Sequence, residues 1–205
     1  MDIKLNFINH SNDHNNAQVV IFSRNVAVDL SEVAIAWTVI QNCGQGWNHP
    51  FNYPLACQAA FADAYGNYSP QLSARPGDAF AVVETTSGDG IQLTGASASP
   101  EEIEMANQLQ RGAVSAMIFR DGRLFAGKTV IAPGQKAVFQ FKPTIWIGVA
   151  SQVQQGEVIN AAVLSAVNTE ISLLGLASAD IVMTGGGPGP DATPFTFTLQ
   201  NIVMA

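Results

Sequence analysis

Apolar and polar residues alternate along much of the chain, the pattern of half-buried strands, because successive side chains of a strand point to opposite faces. Phe195-Thr196-Phe197-Thr198-Leu199-Gln200 is the clearest run. Lys136-Ala137-Val138-Phe139-Gln140-Phe141 repeats the pattern after Ala132-Pro133-Gly134-Gln135, whose Pro-Gly predicts a turn with a left-handed third residue. Gln18–Phe22 and the stretch from Val33 to Ile40 are continuous runs rich in β-branched and aromatic residues, which predict strands buried on more than one side. Asp121-Gly122 between two apolar runs, Ser115–Arg120 and Arg123–Phe125, predicts a hairpin, since both turn residues tolerate positive φ. From Val158 to Leu173 the alternation predicts one long strand.

One segment carries helix signals. Ser99 suits an N-cap, Pro100 the first helical position, and Glu102 the third residue of a capping box, so a short helix is predicted near 100–110. Ile103, Met105 and Leu109 fit a strand's period of two as well. Gly, Pro, Asn, Asp and Ser gather at 9–16, 42–54, 66–78, 85–90, 94–100 and 185–194. Short strands so punctuated predict a mainly β fold, an antiparallel β-sandwich of immunoglobulin-like or jelly-roll type. The expectation is a single sandwich over 1–205, with two small sandwiches divided near 88–100 as the alternative. No repeat of solenoid or propeller period is visible.

Composition narrows the partners. Nine Lys and Arg against 16 Asp and Glu give a net charge of −7, and the few cations are scattered, which argues against nucleic acid. No apolar run reaches the ~20 residues of a membrane-spanning helix. Met1-Asp2-Ile3-Lys4-Leu5-Asn6 lacks the basic and apolar regions of a secretory signal, so synthesis in the cytoplasm is expected, with export by another route left open. Fourteen Asn and 14 Gln outnumber the charged side chains, so neutral amides carry much of the solvation. A surface of low charge repels its own copies weakly and leaves strand edges short of lysine gatekeepers, which predicts a homo-oligomer.

Candidate chemistry is sparse. Cys43 and Cys57 are the only cysteines, wrongly spaced for a redox or zinc motif. They flank one Gly/Pro-rich connection, so a bridge across it is conceivable, but two small buried thiols is the expected state. His10, His14 and His49, with Asp13, have the residue types for a divalent ion such as zinc if their loops converge, but not the spacing of a known motif. Asn and Asp clusters nearby suit a weak calcium site or ordinary Asx-turns equally well. Trp47, Asn48, Phe51 and Tyr53 lie in the 43–57 loop, where exposed rings would stack on a glycan or enter a lipid surface. The run from Gly185 to Pro190 lacks the Lys-Ser/Thr of a phosphate-binding loop, and its prolines remove backbone donors. No Gly-x-Ser-x-Gly elbow occurs, and of the carboxylates Glu101, Glu102 and Glu104 the first two find structural use at a helix start.

The expectation is therefore a non-enzymatic β-sandwich protein, without cofactor, acting by self-assembly or binding. Two alternatives stand beside it. One is a cell-surface-binding effector, lectin-like or pore-forming, that uses the aromatic loop; the other is a small metalloenzyme built on the three histidines.

Overall fold

A computed structural model describes residues 2–27 and 34–205. Its chain begins with β1 (Ile3–Asn9), β2 (Gln18–Phe22), β3 (Thr38–Ile40) and β4 (Asn48–Tyr53). There follow β5 (Cys57–Ala62), β6 (Leu72–Ala74), β7 (Asp78–Thr85), β8 (Gly88–Ala96), β9 (Ile103–Asn107), β10 (Val114–Arg120), β11 (Arg123–Ile131) and β12 (Lys136–Phe139). The last part holds β13 (Thr144–Ala150), the helix α1 (Ala161–Ala166), β14 (Thr169–Ser172), β15 (Leu176–Gly186) and β16 (Thr193–Met204). The fold is thus mainly β.

The strands sort into two compact units. The first holds β1–β4 and β13–β16, in four-stranded sheets of order β16-β15-β1-β4 and β14-β13-β2-β3. The second holds β5–β12, in sheets of order β12-β9-β7-β8 and β11-β10-β5-β6. Pairing is antiparallel except between β1 and β15 and between β7 and β9.

The two units share one strand plan. If the first is read from β13 to β16 and then from β1 to β4, and the second from β5 to β12, each strand has the same neighbours in the same directions. The match extends to single residues. Asn9 and Asn107 end equivalent strands, both are buried, and each accepts through Oδ1 from the backbone N–H two residues on, at 2.9 and 3.1 Å. Each donates through Nδ2 to a backbone carbonyl, of Cys43 at 2.6 Å and of Ile131 at 2.8 Å. Their backbones hold equivalent turns, Gly46-Trp47 and Gly134-Gln135, with both glycines at φ +80. Ile21-Phe22 corresponds to Ile118-Phe119, and Phe51-Asn52-Tyr53 to Phe139-Gln140-Phe141. The chain is therefore two successive eight-strand repeats, β1–β8 and β9–β16, and each compact unit takes four strands from either repeat. The repeats meet between Ala96 and Ile103.

Sequence expectations and structure part at three segments. No helix forms near 100–110: Ser99 and Pro100 make a turn, and β9 buries Ile103, Met105 and Asn107 while Glu104 and Ala106 lie on its other face. Pairing with β7 and β12 rewards the two-residue period over the cap signals. The long strand expected over 158–173 is instead α1 followed by β14. Asn160 caps α1, its Oδ1 accepting from the Val163 N–H at 3.0 Å, and three alanines favour the helix. Between 33 and 40 the regular strand is only Thr38–Ile40; Val33 lies outside the described residues. The Asp121-Gly122 hairpin forms with φ of +52 and +67, and Gly134 takes the left-handed conformation expected of it.

The core of the first unit gathers Phe7, Ile21, Phe22, Trp37 and Tyr53, with Trp37 edge-on to Tyr53 at 5.7 Å. In the second unit Phe80, Met105, Ile118, Phe125 and Phe139 are fully buried, and the Arg120 guanidinium lies 4.5 Å from the centre of the Phe125 ring.

Candidate functional site

β16 forms one border of its sheet, pairing with β15 and, on its other side, with no described strand. The β15–β16 connection fixes where it starts. Gly185 and Gly186 have φ of +92 and +79; a Cβ on the first would overlap the Pro194 carbonyl, and one on the second would lie 2.8 Å from the Phe195 ring. From there the alternation sorts the strand. Phe197 is buried and Phe195 and Leu199 half-buried on one face, while Thr196, Thr198 and Gln200 are exposed on the other.

Polar side chains tie the outer face together. The hydroxyls of Thr184 and Thr196 are 2.7 Å apart. Asp180 accepts from Nδ2 of Asn201 at 2.6 Å and of Asn6 at 3.0 Å, and Asn6 Oδ1 accepts from Asn48 Nδ2 at 3.0 Å. One polar row thus crosses all four strands. Asn201, at φ +49, marks a shift in register, beyond which Ile202, Val203 and Met204 are each at least half exposed. Leu174, 73% exposed, precedes Gly175, whose carbonyl accepts from the Ala205 N–H, and it widens this apolar end. After Asp191 the sequence has no charged side chain.

The aromatic connection divides differently from the expectation. Asn48 to Tyr53 is strand β4, paired with β1, and it turns Phe51 and Tyr53 into the core beside Trp37. Neither ring is available to a glycan or lipid. Asn48 belongs to the polar row. Trp47 alone of the four presents a ring to solvent, at 66% exposure.

The histidines do not come together. Among the described residues no three His, Cys, Asp or Glu side chains form a group that would hold a metal, so His10, His14, His49 and Asp13 make no such site. Asp13 is the hub of a loop, its two carboxylate oxygens accepting from the Asn15 and Ala17 N–H groups at 2.8 and 2.7 Å. Glu104 pairs with Lys136 at 2.7 Å, and Glu101 accepts from the Gln140 side chain at 2.6 Å, so those carboxylates serve strand contacts.

Cys43 and Cys57 are both free thiols. Burial raises the pKa of each. For Cys57 it prevails over the Arg120 charge, which lowers it, and Asp78 adds to the rise. The Cys57 Sγ donates to the Ala74 carbonyl at 3.2 Å. Neither thiol is poised as a nucleophile at neutral pH.

Compared with family models, characterised proteins and solved structures, the chain matches none. Among the described residues no helix is long and apolar enough to cross a membrane.

Proposed function

We propose that the protein acts without catalysis, by self-association of its chains, and that each compact unit is a two-sheet sandwich whose borders do the binding. The observation that carries this reading is the β16 border: a twelve-residue strand without a charge, on a chain of net charge −7. Open strand edges pair with other strands unless charge, proline or bulges prevent it. Here the blunting devices stand only at the ends, Pro194 and the Asn201 irregularity, leaving Phe195–Gln200 open between them.

The occupant is a second copy of the chain. Antiparallel pairing of β16 with itself about Thr198 sets Phe197 opposite Leu199 and Thr196 opposite Gln200, and no like charges meet. The equivalent border of the second unit, β8, is built differently. It carries Gly88, Asp89, Gly90 and Gly95, which weaken a strand, whereas β16 has three Thr, two Phe, one Ile and one Val and no Gly.

Size exclusion with light scattering in reducing, physiological-salt buffer tests the proposal. A defined oligomer, little changed by raised salt, is expected. Thr196→Lys with Thr198→Lys places charges on the outer face without touching the core and should weaken association about tenfold or more. A native chain that stays monomeric at every concentration, or an oligomer indifferent to the two lysines, overturns the reading.

A further inference from the structure

At one end of the β14-β13-β2-β3 sheet three neighbouring strands stop together. β2 begins there while β3 and β13 end, with Gln18 opposite Ala150 and Val19 opposite Ile40. The segments beyond them enclose an open cleft of about 350 Å³. Six amide-bearing residues line it, Asn15, Asn16, Gln18, Gln41, Asn42 and Gln152, together with one serine and one alanine. No charge faces it.

The cleft is held in shape. Asn16 Nδ2 donates to Asn42 Oδ1 at 2.5 Å, and Gln18 Oε1 accepts from the Val153 N–H at 2.8 Å, fastening all three segments. Asn16, Asn42 and Gln152 have φ of +50, +55 and +60, a conformation that non-glycine residues rarely adopt. The side-chain amides of Asn15, Gln41 and Gln152 are exposed and have no partner among the described residues.

The second unit supplies an internal comparison. There the positions of Gln18, Gln41, Asn42 and Gln152 are held by Ser115, Thr129, Val130 and Ala64. The left-handed backbone recurs, since Val130 has φ +57, yet the amides do not. They are therefore not a requirement of the scaffold.

We propose that this cleft binds a neutral carbohydrate. A carboxamide offers two donors and an acceptor, and a sugar hydroxyl offers both, so adjacent hydroxyls find complementary partners on a wall of amides. Neutral amides also lose less on leaving water than charged groups do. Phosphates and carboxylates would find no cation among the residues that line it, and a metal ion no carboxylate.

The test is binding of the native chain to a printed array of neutral oligosaccharides built from glucose, mannose, galactose and N-acetylglucosamine, read with and without EDTA. Binding to at least one of them is expected, unaffected by EDTA and displaced by the same sugar free in solution. Gln41→Leu and Gln152→Leu, both on exposed side chains, should each weaken it about tenfold. The Thr196→Lys/Thr198→Lys chain should bind as the native one does, so this proposal and self-association fail separately. No binding on the array, or binding that survives both leucines, overturns it.

Discussion

Val130 is a β-branched residue in the left-handed region, three-quarters exposed, at the position that Asn42 fills in the other unit. Valine's branched Cβ crowds the backbone there, while asparagine tolerates it. Val130→Asn should therefore stabilise the protein by about 1 kcal/mol, seen as a higher melting temperature; an unchanged or lower one would show that the strain has relaxed elsewhere. The thiols give a prediction with a definite sign. The folded Cys57 holds its proton above the ordinary pKa of 9.0, so above about pH 9 the unfolded chain loses a proton that the folded chain keeps. Stability should fall as pH rises through that range, and urea titrations at pH 8 and 10 should show a smaller fall for Cys57→Ala. At this scale the sequence was partly legible. Trp47, Phe51 and Tyr53 looked alike because composition carries no direction. Only the pairing of β4 with β1 sends the last two inward.

At the scale of elements, local chemistry served well wherever a turn dictates its own geometry. Asp121-Gly122 and Pro133-Gly134 announce their hairpin and turn because few residues accept those dihedrals. It served poorly where neighbours decide. Ser99-Pro100 looks like a helix start, but two flanking strands offer β9 a full ladder of hydrogen bonds. Asn160 is a cap whose helix is only six residues long, shorter than the alternation around it. The outward threonines of β16 were visible as a pattern. That the strand borders its sheet was not, because sheet order is set by partners distant in sequence. The absence of charge after Asp191 is the one sequence signal that would have marked it.

For the molecule as a whole, the duplication escaped the sequence because the residues that match are few and insertions keep changing their spacing. Leu5-Asn6-Phe7 stands where Ile103-Glu104-Met105 stands, with only size and polarity preserved. The exchange of halves gives a direct prediction. A protease site placed between Ala96 and Ile103, once cut, should leave the two fragments together as one particle in native buffer and separate them only in denaturant. Fragments that part without denaturant would mean that each repeat closes on itself. The same arrangement bears on how the chain is made. When the first repeat has left the ribosome it holds four strands of each unit and completes neither. The second unit waits for β12 and the first for β16: β1 and β2 can pair early with β4 and β3, but their other neighbours, β15 and β13, come only late in synthesis, at ~5–20 residues per second. Folding must then close long loops late and slowly. On one messenger, growing chains hold these unfilled strands beside one another, so the spacing of ribosomes sets how near like strands lie before either unit can close.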